Sequence, residues 1–141
     1  MCLMLPSMIP PPPDFLQIHV AEEGRLLHSE WLRSTSSPEY RTGLCYIQRL
    51  IIQRDINLWL VDSRKLAHIT FEDQQWLKRE LVPGLLHGNL SKVGRVVQPD
   101  VFTYISFEQV IEKAQSEYSL KTQIEQFTSI EAALSWLFLQ D

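Results

Sequence analysis

LWLVDSRKLAHITFEDQQWL, residues 58–77, is the stretch that decides the fold. With the two residues before it, its first part reads INLWLVD (56–62), a continuous apolar run bounded by polar residues. That is the pattern of a strand covered on both faces. After the polar turn at Asp62, Ser63 and Arg64, a helical pattern starts at Thr70 and carries Leu77, Leu81 and Leu85 on one side. Pro83 kinks this helix or ends its regular part, since proline has no N–H to give. A buried strand that feeds a helix is half of a crossover unit, and crossovers favour parallel strands with right-handed connections.

The same alternation continues in both directions. Upstream, FLQIHV (15–20) and RLLHSEWL (25–32) read as an antiparallel hairpin around AEEG, with Gly24 available for an awkward backbone angle. STSSPEYRTGLCYIQRLIIQRD begins with serines suited to capping and Pro38 near the first helical position. It then places Tyr40, Leu44, Ile47 and Ile51 on one helical face. Downstream, KVGRVV (92–97) is a short strand, a third helix is expected from about Ser106, KTQIEQF (121–127) is the last strand, and SIEAALSWLFL (129–139) is a closing helix. The order is β-β-α-β-α-β-α-β-α. The chain is therefore expected to be an α/β protein with a mostly parallel mixed sheet, an N-terminal antiparallel hairpin and helices packed on the sheet.

Three segments, ITFED, YISFEQ and FTSIEA, share one local job. Each sets Ser or Thr ahead of an apolar residue and a Glu, so the hydroxyl can accept from a free first-turn N–H while Glu72, Glu108 and Glu131 face the positive end of the helix dipole. Ser106 with Gln109, and Thr128 with Glu131, are spaced for capping boxes, and Ile105 with Val110 for a hydrophobic staple. Thr70 is read first as a cap.

Composition bounds the function. The 141 residues are 45% hydrophobic and 21% charged, the ordinary globular mix, with a formal net charge of −4. Basic residues are scattered among acids, so a nucleic-acid partner is not expected. Cys2 and Cys45 have no metal or redox spacing and are read as reduced thiols. Residues 1–14 are apolar but broken by Pro6 and Pro10 to Pro13, which argues for a flexible proline-rich tail rather than a signal peptide; residues 15–141 make one domain. No run is long enough for a membrane span, and a cytoplasmic location is expected. There is no nucleophile elbow, P-loop or dinucleotide fingerprint, and His19, His28, His68 and His87 show no metal-ligand spacing. No catalytic residues, metal or cofactor are expected.

The order of elements, with a buried strand leading through LVDSRKLAHIT to a capped helix, resembles the STAS superfamily of bacterial anti-sigma-factor antagonists, whose fold is called SpoIIAA-like. More closely the set EYRTG, INLWLVDSRKLAHITFEDQQWL and VFTYISFEQVIEKA is similar to small bacterial proteins labelled STAS/SEC14-domain, common in Bacteroidetes, which have no assigned activity; the resemblance covers roughly residues 15 to 139. The resemblance implies a non-catalytic regulatory or protein-interaction module. In the antagonists the corresponding strand ends in Asp, and an Asp-Ser pair with a phosphorylated Ser opens the next helix. Here Asp62 matches the first Asp, while Thr70 and Phe71 stand in place of the pair, so the phosphoacceptor is missing. The alternative is a carrier of a small or lipid-like molecule, as the SEC14 part of the label implies.

In open α/β sheets a ligand sits beyond the C-terminal ends of the parallel strands. That places Asp62, Ser63, Arg64 and His68 after one strand, with Thr70 at the following cap, and Gln98, Asp100, Thr103 and Tyr104 after the next. These are the candidate binding residues for a ligand or a protein partner. Trp76 falls one position off the Leu77–Leu81–Leu85 stripe and is read as a partly exposed interface anchor. A protein partner or a homodimer is expected.

Overall fold

The computed structural model describes residues 10–21, 25–66 and 69–139. Its sheet grows outward from β3 (Leu58–Asp62), the apolar run that sequence reading made a doubly covered strand. The described residues form a five-stranded sheet in sequential order, β1 (Leu16–Ala21), β2 (Leu26–Trp31), β3, β4 (Lys92–Val96) and β5 (Gln123–Phe127). β1 is antiparallel to β2, and every later pair is parallel. The mixed α/β architecture is as expected.

Strand alternation sends successive side chains to opposite faces. On one face Trp59 and Val61 pack with Val93 against Leu44, Ile47 and Ile51 of α1 (Ser37–Gln53) and Trp76 of α2 (Phe71–Trp76). α4 (Val101–Tyr118) adds Phe107 to that core. On the other face Leu26, Leu60 and Val96 pack against Ala133 and Leu137 of α5 (Ile130–Leu137). The sheet thus lies between two helical layers, one of them a single helix.

Local chemistry sets the ends of these elements. Ser36 caps α1 and exchanges hydrogen bonds with Glu39, a complete capping box, with Pro38 in the first turn. Thr70 caps α2 by accepting from the Asp73 N–H at 3.1 Å, as expected. The helix from Thr70 then widens into a π-helical turn, Leu77–Leu81, where the Val82 N–H donates to Leu77 O, before α3 (Val82–Leu85). Pro83 cannot donate to a preceding carbonyl, and the wide turn lies immediately ahead of it. Gln48 of α1 reaches across to the end of this turn. Its amide donates to Leu81 O at 2.9 Å, and Gly84 gives it room, since a Cβ there would overlap the amide.

Four expectations need correction. The third helix starts at Val101, not near Ser106, because Asp100 accepts from the Phe102 and Thr103 N–H groups and is the stronger first cap. α5 is capped by Ser129, which accepts from Ala132 N, rather than by Thr128. Trp76 is 5% exposed and part of the core, so the partial exposure on which it is read as an interface anchor is absent. The wide π turn follows it directly, and Arg41 lies over its ring at 5.5 Å, covering it. Cys45 is disulfide-bonded rather than a reduced thiol. Cys2, the turn residues 22–24 and His68 lie outside the described residues. No helix among the described residues is long and apolar enough to cross a membrane.

Candidate functional site

β3 and β4 run parallel and end together, and the chain leaves each of them toward a capped helix. In the angle between those two exits lies a cavity of about 200 Å³. Ser63 and Leu66 line it after β3, Gln98 and Asp100 after β4, Gln74 from α2, and Thr103, Ser106 and Phe107 from α4. The Gln74 amide donates to Ser106 Oγ at 2.9 Å and ties the two helices together beside the cavity. Asp100 keeps Oδ1 on its own helix cap.

The residue that gives this cavity its character is Arg95, in the fully buried strand β4. It is 5% exposed, yet among the described residues no carboxylate pairs with it. Its Nη1 donates to Gln126 Oε1 at 2.7 Å, and its guanidinium stacks on Phe107, 3.9 Å from the ring centre. Gln126 sits at the same register on β5. Its amide nitrogen donates to Tyr104 O at 3.0 Å and to Glu108 Oε1 at 3.1 Å, which fixes its oxygen toward Arg95. Burial lowers the Arg95 pKa to about 10, partly opposed by Tyr40, so the group stays charged at neutral pH. Burial likewise pushes the Tyr40 hydroxyl up. A guanidinium has five N–H donors in a planar fork, and one neutral amide oxygen uses few of them.

A second, apolar cavity of about 90 Å³ lies between sheet and helices, lined by Leu44, Trp59, Leu81, Val93, Ile111 and Ala114 among others. It shares Ser63, Arg95 and Phe107 with the first.

The candidate residues read from the sequence divide into groups. Ser63, Asp100 and Thr103 come together on the cavity. Asp62 and Arg64 do not line it. Asp62 points with Leu60 to the α5 side, where its carboxylate accepts from Arg64 Nε at 2.9 Å, Nη2 at 2.7 Å and the Arg64 amide at 3.1 Å. Burial alone would raise that carboxyl, but these hydrogen bonds and the Arg64 charge hold it below the ordinary range. Thr70 is an exposed cap, and Tyr104 contributes its carbonyl to Gln126 while its ring stays outside the cavity. His68 is outside the described residues.

Sequence reasoning missed Arg95 and Gln126. The signal was present in KVGRVV: a lone cation at the same parity as Val93, in a run read as a strand between helices, is a buried charge. Above the cavity, exposed apolar side chains sit on the first turns of the two helices joined by Gln74 and Ser106: Phe71 is 70% and Phe102 83% exposed. Val101 and Ile105 flank Phe102 and are also exposed. No family model, curated protein or solved structure matches the chain.

Proposed function

We propose that this chain is a non-catalytic binding module of STAS-like type that holds a small anion against Arg95 at the C-terminal ends of β3 and β4. The observation that carries the reading is a buried guanidinium with no carboxylate partner among the described residues, facing a cavity lined by hydroxyl and amide groups. An uncompensated buried charge is costly, and a structure that keeps one gains by offering it a counter-charge. Placement at the ends of parallel strands agrees with where open α/β sheets bind ligands. Binding rather than catalysis is favoured because, among the described residues, the charged groups on the cavity are Arg95 and Asp100, and Asp100 is engaged as a cap.

The STAS-like kinship rests on the element order and on Asp62 ending β3 ahead of the Thr70-capped helix. Phe71 stands exposed where the antagonists carry their phosphorylated Ser, so control by a bound molecule replaces control by phosphorylation in this reading. A second reading, docking of a protein partner across the mouth of the cavity, is favoured by the exposed Phe71, Val101, Phe102 and Ile105.

The test is thermal unfolding in sodium acetate, phosphate and sulfate against chloride at matched ionic strength, for the native chain and Arg95→Met. A rise in Tm with at least one of the three anions over chloride, absent in Arg95→Met, supports the reading. Equal responses in both proteins overturn it.

A further inference from the structure

Resting on that reading, we propose that the anion is the head of a short amphiphilic monocarboxylate, whose hydrocarbon tail passes Phe107 into the apolar cavity behind Arg95. Two observations choose this class. The first is charge: among the described residues lining either cavity, Arg95 is the only basic group, and Asp100 adds a negative charge at the mouth. A single guanidinium matches a single negative charge, and its planar fork matches a carboxylate; a phosphate dianion would leave excess charge beside Asp100.

The second is shape. The polar cavity adjoins the apolar one at Arg95, because Ser63, Arg95 and Phe107 are walls of both spaces. Beyond them the lining is Trp59, Val93, Ile111 and Ala114, with no charged group other than Arg95 among the described residues. An apolar void of about 90 Å³ is smaller than the ~150 Å³ that accepts benzene, so it suits a tail of a few methylenes and not a long acyl chain. Phe107, stacked on the guanidinium, stands in the wall between the two spaces, where the tail would have to pass it.

The experiment is titration calorimetry with acetate, butyrate, hexanoate and decanoate at constant sodium concentration. Affinity is expected to rise about fourfold per methylene, from ~0.8 kcal/mol for each, up to roughly hexanoate, and then to level off as the cavity fills. Ala114→Leu fills the apolar space and is expected to keep acetate binding while flattening the series; Val110→Phe narrows the same space and serves where the first variant does not fold. Phe102→Ser, which alters only the exposed rim, should leave the slope unchanged. Arg95-dependent acetate binding with no dependence on chain length overturns the amphiphile and leaves the anion site standing. Tighter binding of phosphate than of hexanoate does the same. A slope lost in Phe102→Ser and kept in Ala114→Leu places the tail on the rim and also overturns the proposal. No response to any carboxylate, phosphate or sulfate overturns both readings.

Discussion

Two arginines stand near the same end of the sheet, on opposite faces, and they are solved in opposite ways. Arg64 leaves 40% of its side chain in solvent and closes a two-pronged pair on Asp62, whose own side chain is 6% exposed. Arg95 is buried beneath the helical layer and receives one neutral amide oxygen and an aromatic face. A pair that satisfies itself is part of the structure's own closure. A buried cation left short of acceptors beside a cavity is the feature that calls for something from outside. Asp62 and Arg64, marked by loop polarity in the sequence, satisfy each other, and the charge on which the proposed site rests sits in the strand.

The comparison breaks most sharply at Arg95. Arg95→Met is expected to weaken anion binding by roughly 10- to 100-fold, the worth of a charge-assisted contact of about 1.5–3 kcal/mol, in calorimetric titration. Stability should change little in the same variant, because relief of a buried charge offsets the bond lost by Gln126. Asp62→Ala should do the reverse. It is expected to lower unfolding free energy by about 1–2 kcal/mol in urea while leaving anion affinity as it was, since Arg64 does not line the cavity.

Acid sharpens the contrast further. Hydrogen bonds from Arg64 hold the Asp62 carboxyl below its ordinary range despite burial. Its contribution is therefore present above the ordinary value of 3.8 and lost as pH falls through the native one. On the same face, burial lowers the His28 imidazole below its ordinary 6.5, against the pull of Asp62 and Glu30, and its Nε2 is buried without a partner among the described residues. The native state keeps it neutral, so its contribution too is lost as pH falls below 6.5. Urea midpoints should drop in two steps on acidification, and His28→Leu should remove the upper one. The smallest effect is expected from Arg64→Gln, at most about 1 kcal/mol, because the exposed arm of the pair is screened; the same urea curves measure it.

Periodicity made the fold legible. The doubly covered run at 56–62, the hairpin before it and the helical stripes carried the whole element order, because burial on known faces leaves a period that single residues cannot hide. Boundaries were harder where two caps competed. Asp100 and Ser106 both offer an oxygen to a first turn, and only the backbone decides between them. Trp76 was misplaced because the π turn that follows it interrupts the helical stripe, a turn no propensity announces. The cavity was half legible. Ser63, Asp100 and Thr103 followed from strand ends alone, whereas Arg95 lies inside a strand and not in a strand-to-helix loop. Its partner Gln126 is 31 residues away and meets it only through the parallel register of β4 and β5.

The central claim is that Arg95, and not Arg64, is open to an outside anion. The most direct test is to follow the arginine side-chain Nε–H signals by NMR while sodium acetate is exchanged for sodium chloride at constant ionic strength. The Arg95 signal is predicted to move and saturate while that of Arg64 stays in place. A stationary Arg95 signal, or parallel drifts of both without saturation, would contradict the claim.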